Sequence, residues 1–570
     1  MNEKKERFNA MNIKNGSVVF FSLLLTLTAA CMSGMSGEEQ RLVPCENGKK
    51  IIAVGSSTLS PKELRENIET AEKYLPADGI VIQLDVETEA DGKKFMAFRH
   101  SVCGGVNWKK EWLKPAEADL KATRFRQFTD NFLYISTFGY NSDFFDDQRW
   151  ASICHNAAVI AEFARETGLK GVFFDIEYYG RGKTWPMFKF NPDGKKSFAE
   201  CEKQARKRGR ELMSVFAKAF PEIVIIADFG TYSANFYAAA DHRHTKQHLQ
   251  SYLYGLSSAF FDGMFEVIPP AARLYDGIEF QSYLADDLNA YRKIAHDYLT
   301  LTPQVCDPAL LGKIWNQSGL AVAMYMESYI NEEGIYKVAS PVMDRVKLFR
   351  RNLHSALQTS SAYTWIYYDA AARWFPIKRH NRYERMLKNK PLWQEKLPGI
   401  NEAIIAARDP LAYAHQQVAA GKAELMRKVD FENGKLDIQI ENGGKNPHEK
   451  KIVELDKTMG ASGKASVRYT GFVSGGFYFK APAKPGNLYY ARAKAKNFRP
   501  ETHLRMCFGS SAKIAERIVC FAEPDSNGWM QAEAVLFFPE NAKELIISCE
   551  IMSRIGSDCR FDDIELYLIP

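Results

Sequence analysis

The chain has 570 residues, of which 46% are hydrophobic and 25% are charged. These ordinary proportions exclude a disordered or fibrous protein and allow large buried cores. The formal net charge is only +6 at pH 7, and a charge this small gives no reason to expect a nucleic-acid partner.

The N-terminal region is typical of an export signal. Basic side chains precede an apolar run over residues 18–30, which is shorter than a membrane span requires. The run ends in Thr-Ala-Ala-Cys, which resembles the cleavage site of a bacterial lipoprotein. The resemblance implies that residues 1–30 are a signal peptide, that Cys31 is lipidated, and that residues 31–48 form a tether. The protein would then be anchored in the bacterial cell envelope, at the outer membrane or the cell surface. A plain secretory signal is the alternative, and it also exports the protein.

Apolar, β-rich runs alternate with helical runs between residues 49 and 428. Such alternation is typical of parallel strands joined by crossover helices. We identify eight such runs, the number that a closed (β/α)8 barrel requires. They are residues 50–55, 79–86, 131–138, 171–177, 222–229, 277–283, 319–327 and 362–368. We therefore predict an α/β fold in which residues 49–428 form a (β/α)8 TIM barrel.

The sequence changes character near residue 429. Short alternating segments separated by turn residues replace the helical patterns, which predicts an all-β antiparallel sandwich over residues 429–570. The last segment contains Phe561-Asp562-Asp563 and then an alternating strand. This ending resembles the final strand of jelly-roll carbohydrate-binding modules, and the resemblance implies a carbohydrate-binding domain. A sandwich that only packs on the barrel is the alternative.

The fourth predicted strand carries the most informative pattern. Residues 170–179 read Lys-Gly-Val-Phe-Phe-Asp-Ile-Glu-Tyr-Tyr, so Asp175 and Glu177 share one face at the strand's C-terminal end. Two adjacent carboxylates are costly to bury unless they are used or compensated. Catalytic groups of barrel enzymes lie at these strand ends. The alternative is a carboxylate pair that neighbouring basic side chains neutralise.

Two strand ends are similar to those of retaining barrel glycosidases of clan A. Those enzymes place the acid/base at the end of strand four and the nucleophile at the end of strand seven. The resemblance implies that Glu177 is the acid/base and Glu327 the nucleophile, with Ile176 where the clan usually has Asn. Retaining hydrolysis requires two carboxyl groups about 5–5.5 Å apart.

The same strand also resembles the family 18 chitinase motif DGxDxDxE. That resemblance implies a substrate-assisted reaction in which Glu177 is the acid/base and Asp175 orients the N-acetyl group of a sugar. Tyr283 and Trp365 match the active-site Tyr and Trp of that family. Lys170 and Phe173 replace the first two motif aspartates.

Other polar and aromatic residues at predicted strand ends are candidates for substrate binding, because aromatic faces stack on sugar rings and polar groups bind hydroxyls. They are Gln281, Asp228, Tyr178 and Tyr367. His242, His244 and His248 are the one metal-like group. We interpret it as a polar loop that enters a helix, and we expect neither a metal nor a cofactor.

The resemblances together predict an exported glycoside hydrolase that cleaves a poly- or oligosaccharide by carboxylate acid/base catalysis with retention of configuration. A non-catalytic, glycan-binding surface lipoprotein is one alternative. A family 18-like hydrolase of N-acetylated glycans is the other. The sequence leaves the sugar, the linkage and the oligomeric state open.

Overall fold

The computed structural model describes residues 42, 44–55, 58–137, 143–179, 185–330, 336–338, 344–379, 383–444, 447–510 and 515–570. The predicted signal peptide, Cys31 and most of the predicted tether lie outside these ranges. Residues Leu42–Pro570 form one compact unit. Within the described ranges, no helix combines the length and the apolar composition needed to cross a membrane.

The described residues of the first part of the chain include ten strands. In chain order they are β1 (Lys50–Gly55), β2 (Gly79–Ile82), β3 (Asp85–Ala90), β4 (Lys93–Phe98), β5 (Phe132–Ser136), β6 (Gly171–Asp175), β7 (Val224–Ala227), β8 (Arg273–Asp276), β9 (Val322–Tyr325) and β10 (Tyr363–Tyr368). Eight of them form one parallel sheet in the order β8-β7-β6-β5-β2-β1-β10-β9. A parallel bridge from Asp276 to Leu320 links the two edges, so the sheet closes almost completely into a barrel. The predicted barrel of eight parallel strands is confirmed at this level.

Fifteen α-helices accompany the described strands, and most follow a barrel strand. They are α1 (Pro61–Tyr74), α2 (Lys110–Ala122), α3 (Asp147–Glu166), α4 (Phe198–Ala219), α5 (Phe236–Ala240), α6 (Thr245–Ser251), α7 (Ser257–Val267), α8 (Glu279–Tyr283), α9 (Leu288–Val305), α10 (Leu311–Gln317), α11 (Arg345–Thr359), α12 (Tyr383–Leu387), α13 (Trp393–Lys396), α14 (Ile400–Arg408) and α15 (Pro410–Ala419). Their apolar faces pack on the outer side of the sheet, against residues such as Val172 and Phe174.

The inner face of the barrel changes from apolar to polar along β6 and β7. Phe173 of β6 and Ile226 of β7 belong to the inner core. Because strand side chains alternate between faces, the next inward positions are Asp175 and Asp228. Both carboxyl groups are buried. The C-terminal end of the barrel is therefore lined with acids that stand directly on an aromatic and aliphatic floor.

The predicted sixth strand is wrong in its position. The strand is β8 (Arg273–Asp276), and residues 279–283 form the short helix α8 instead. Ile278 adopts the left-handed conformation with φ 44°, which ends the strand. The Asp276 carboxylate holds this turn, because it accepts the backbone N–H of Ile278 at 3.0 Å and that of Thr231 at 3.0 Å. Gln281 and Tyr283 therefore lie on a helix after the strand.

The rest of the chain is antiparallel. Its strands are β11 (Glu424–Val429), β12 (Gln439–Glu441), β13 (Ile452–Asp456), β14 (Ser466–Thr470), β15 (Ser474–Pro482), β16 (Leu488–Asn497), β17 (Thr502–Ser510), β18 (Ala515–Cys520), β19 (Met530–Phe537), β20 (Glu544–Ser553) and β21 (Asp558–Ile569). One sheet has the order β13-β14-β21-β16-β19, with β11 also paired to β21, and the other has the order β12-β15-β20-β17-β18. Inward residues of both sheets share one core, so the prediction of an antiparallel β domain is confirmed.

The β domain packs directly on the barrel's outer helices. Tyr413 of α15 shares an apolar cluster with Leu488, Tyr490 and Ile569 of the β domain. The buried Arg350 of α11 donates from Nη1 to the carbonyl oxygen of Pro570 at 2.7 Å. The C-terminal strand is thus fixed to a barrel helix.

Candidate active site at the barrel mouth

Asp175 ends strand β6 and organises the first turn beyond it. Its Oδ1 accepts the backbone N–H of Glu177 at 2.9 Å, and its Oδ2 accepts the Tyr134 hydroxyl at 3.1 Å. The side chain is 1% exposed. These two bonds hold the Asp175 side chain in one orientation. The bond to Glu177 also fixes the position of the Glu177 backbone after the strand ends.

Asp228 follows β7 and faces Asp175. Its Oδ1 accepts the backbone N–H groups of Ile176 at 3.0 Å and Phe229 at 2.8 Å. Burial raises its pKa well above the usual range, and the charge of Asp175 and a hydrogen bond to it raise the pKa further. These effects favour the protonated form of Asp228.

Glu177 is the half-buried carboxyl at the mouth of the barrel. Burial raises its pKa from 4.5 to about 7; the charge of Asp175 acts in the same direction, and a hydrogen bond with Tyr179 opposes it. A carboxyl group with a pKa near neutrality can give up a proton and take it back under ordinary conditions. Asp262, Glu327 and Asp562 also have a pKa of about 7, but all three are buried, so Glu177 is the half-buried member of this described set.

Glu279 is a fourth carboxyl of the cluster and is missing from the sequence-based candidates. It lies in the first turn of α8, and its side chain is half-buried. Its pKa is well above the usual range because of burial first and then the charges of Glu177 and Asp175. The sequence contains a signal for it, since alternation places residue 279 on the same face as Gln281 and Tyr283 in the predicted strand.

Arg99 brings a positive charge to this acidic cluster and is also missing from the sequence-based candidates. It follows the β3–β4 hairpin, and its backbone carbonyl accepts the N–H of Ser136 at 2.9 Å. Its guanidinium lies 4.4 Å from the centre of the Tyr134 ring. The Arg99 charge lowers the pKa of Tyr134 and Tyr367, although burial keeps both raised overall.

Three of the predicted substrate-binding residues belong to an aromatic group. Tyr283 stacks on Tyr325 at 4.9 Å between ring centres, and Tyr367 lies 5.5 Å from Tyr325. Trp365 is 1% exposed and donates from Nε1 to the carbonyl oxygen of Ala321 at 2.8 Å. Trp365 is thus part of the floor below the acids, whereas the half-buried Tyr367 and Tyr325 lie nearer to solvent.

The Tyr283 hydroxyl is buried and makes no hydrogen bond of standard geometry. It lies close enough to Glu279 for each group to affect the other's pKa.

Two other predicted residues contact neighbouring loops. The Tyr178 N–H donates to the Tyr254 hydroxyl at 3.1 Å, and Gln281 Nε2 donates to the Ser233 carbonyl at 3.1 Å. The structure thus places every predicted binding residue at or just below the barrel mouth.

Glu327 has different neighbours from Glu177. It lies in a 3-10 turn after β9 and is 4% exposed. Its Oε1 accepts the backbone N–H of Asp369 at 2.7 Å, while its Oε2 is buried without a hydrogen-bond partner. Burial raises its pKa to about 7, and the charge of Asp369 also raises it. The role of Glu327 as a nucleophile stays a prediction.

The comparisons with known proteins are limited. No family model and no curated protein matches the chain. The xylan-binding domain CBM22-1 of Paenibacillus barcinonensis Xyn10C is 12% identical, over 26% of this chain and 96% of that domain, with a TM-score of 0.21. TmCBM61, solved with β-1,4-galactotriose, is 15% identical over 24% of this chain and 94% of its own, with a TM-score of 0.20. The CBM22-1–GH10 modules of Clostridium thermocellum xylanase 10B, solved with xylohexaose, are 16% identical over 26% of this chain and 29% of theirs, also at 0.20. Likenesses at these scores leave the function of the chain open.

Proposed function

We propose that the chain is a glycoside hydrolase in which Glu177 is the general acid and base. The observation that carries the proposal is the raised pKa of Glu177, about 7, in a half-buried position beside further carboxyl groups. Glycosidic bond cleavage needs one carboxyl that protonates the leaving oxygen and a second carboxylate nearby. A barrel of eight parallel strands that carries acids at its C-terminal end fits a (β/α)8 enzyme.

Glu279 is the best-supported second carboxylate. Burial and then the charge of Glu177 raise its pKa, and its side chain is half-buried. When one of these two groups is protonated, the other can ionise and act as a nucleophile or as a base toward water. Glu327 is the alternative, although it is 4% exposed and bonded to the backbone at Asp369.

Asp175 acts through its neighbours in this proposal. It orients the turn at Glu177 and accepts the Glu177 N–H and the Tyr134 hydroxyl, and its charge and a hydrogen bond to it add to the raised pKa of Asp228. A second candidate function assigns Asp175 to the N-acetyl group of the sugar. The specific support is that a carboxyl held by two donors beside the acid could polarise such a group, as in substrate-assisted hydrolysis.

The remaining parts of the proposal concern location and binding. The exposed Tyr179 and Trp185 follow β6 and could extend a sugar-binding surface beyond the mouth. The β domain would be a jelly-roll carbohydrate-binding module. The leader and Cys31 would export the enzyme and anchor it to a bacterial envelope by lipid.

A substrate screen tests the proposal. The purified protein is incubated with neutral polysaccharides and, separately, with N-acetylated glycans, and new reducing ends are measured. Release from neutral glycans supports the two-carboxylate reaction, and release only from N-acetylated glycans supports the substrate-assisted one. Binding without release across both groups would favour the non-catalytic, glycan-binding alternative.

A further inference from the structure

A second group of polar side chains lies on the long connection between β7 and α7. This connection contains α5 and α6 and leads from Asp228 to Tyr254, whose hydroxyl accepts the backbone N–H of Tyr178. The segment therefore begins at a member of the carboxyl cluster and ends at a contact with the residue that follows Glu177. Asp241 follows α5, His244 stands at the N-terminal boundary of α6, and His248 lies one turn into that helix.

These three side chains converge on one carboxylate oxygen. Asp241 Oδ2 lies 3.0 Å from His244 Nδ1 and 3.4 Å from His248 Nε2. The candidate ligand atoms all lie within 4.8 Å of one another. The centres of the two imidazole rings are 6.3 Å apart, and the ring planes are at 84° to each other.

We propose that Asp241, His244 and His248 bind a divalent transition-metal ion, with zinc as the best match. Two imidazole nitrogens and one carboxylate oxygen are a donor set suited to zinc, whereas calcium and magnesium prefer oxygen ligands alone. Tetrahedral zinc with bonds of about 2.0–2.2 Å holds its ligand atoms about 3.3 Å apart. The partly exposed side chains can close from their present separations by small rotations, because solvent surrounds them on one side.

Spacing along the chain supports the same conclusion. His244 and His248 are four residues apart and thus lie on one face of α6. The backbone turn is already formed, since the His244 N–H donates to the Asp241 carbonyl at 2.9 Å and the His248 N–H donates to the His244 carbonyl at 3.0 Å. The exposed Arg243 lies 4.0 Å from Asp241 Oδ1 and leaves Oδ2 to the histidines. The bound ion would join the end of α5 to α6 and brace the segment that carries Tyr254.

Zinc titration of the protein tests this site, with the protein purified without a histidine tag and stripped with a chelator. Calorimetry with zinc chloride is expected to show one ion per chain at this site. The variants His244→Ala and His248→Ala should each weaken that binding at least about tenfold, because each removes one of three ligands. His242→Ala is the matched control, since His242 lies in the same segment outside the cluster, and its affinity should equal that of the wild type.

A thermal measurement accompanies the titration. Zinc should raise the unfolding midpoint of the wild type and of His242→Ala, and it should raise that of His244→Ala and His248→Ala much less. Without zinc, all four proteins should unfold at similar temperatures because these side chains are partly exposed. The proposal is overturned if the wild type binds no zinc, or if both ligand variants bind it as tightly as the wild type. Neither result bears on the role of Glu177, because zinc binding and glycan hydrolysis involve different side chains.

Discussion

The Asp175 carboxylate accepts the backbone N–H of Glu177 at 2.9 Å, and its charge raises the pKa of the Glu177 side chain. Burial is the larger cause of that raised pKa, so Asp175 holds the position of the proposed general acid and adds to its tendency to stay protonated. The hydrogen bond needs only an acceptor oxygen, whereas the effect on the pKa needs a negative charge. These two contributions can be separated by exchanging Asp175 for Asn.

The pH dependence of hydrolysis should follow from the protonation of Glu177. Leaving-group protonation needs the acid form, so kcat/KM should fall as pH rises through about 7, the pKa of Glu177. Asp175→Asn removes a charge that raises this pKa, so the decrease should begin at a lower pH. A pH–rate profile of both proteins measures the shift. A variant profile that moves to higher pH would contradict the assigned electrostatic effect.

The second carboxylate can be identified by a pair of matched variants. Glu279→Gln should lower kcat by at least about a hundredfold, because the proposal places Glu279 beside the reacting sugar. Glu327→Gln should lower kcat far less, since Glu327 is buried and bonded to the backbone at Asp369. Steady-state kinetics on one substrate compares the two, with the exposed Glu87→Gln as control. A large loss in Glu327→Gln with a small loss in Glu279→Gln would restore Glu327 as the nucleophile.

Asp228→Asn should leave the stability of the folded protein nearly unchanged, whereas Asp228→Ala should lower it. Its Oδ1 accepts two backbone N–H groups, and its raised pKa favours a protonated form that can donate toward Asp175; an Asn side chain can make all of these bonds. Asp228→Ala leaves the N–H groups of Ile176 and Phe229 without an acceptor, which should cost about 2–4 kcal/mol of stability. Thermal unfolding of both variants checks this difference. Equal destabilisation by Asn and Ala would show that Asp228 is ionised.

Glu327 should make the protein less stable as pH rises. Its folded pKa of about 7 lies above its ordinary 4.5, so its contribution to stability is fully present below pH 4.5 and is lost as pH rises through 7. Glu327→Gln has no proton to lose. The stability of this variant relative to wild type should therefore increase by about 2 kcal/mol between about pH 5 and about pH 8. Unfolding midpoints at the two pH values measure this change, and a constant difference would contradict the raised pKa.

The sequence predicts the barrel well where local pattern and tertiary structure agree. The first strand matches residue for residue at Lys50–Gly55, and the eighth differs by one residue. The sixth strand is misplaced because Asp276 ends the strand and accepts N–H groups from the loop at Thr231. That loop is 45 residues away in sequence, so a local pattern does not reveal the bond.

The candidate site is predicted in part for a similar reason. Asp175 and Glu177 follow from strand alternation, and the structure shows them coupled. Glu279 is missing from the prediction because residues 277–283 are predicted to be a strand, and only the residues at the end of that strand, Gln281 and Tyr283, are candidates. Arg99 is missed because residues 79–86 read as one strand, whereas the structure has a strand that ends at Ile82 and then the β3–β4 hairpin. The hairpin places the Arg99 guanidinium over the Tyr134 ring. This contact depends on the tertiary fold, so a local sequence pattern does not reveal it.

The most direct test of the central claim compares wild type with Glu177→Gln on the best substrate of the screen. Reducing-end release and calorimetric binding are measured on the same preparations. The account predicts that the variant binds the glycan within a few-fold of wild type and releases product at least about a hundredfold more slowly. A variant that releases product at the wild-type rate would contradict the assignment of Glu177 as the general acid and base.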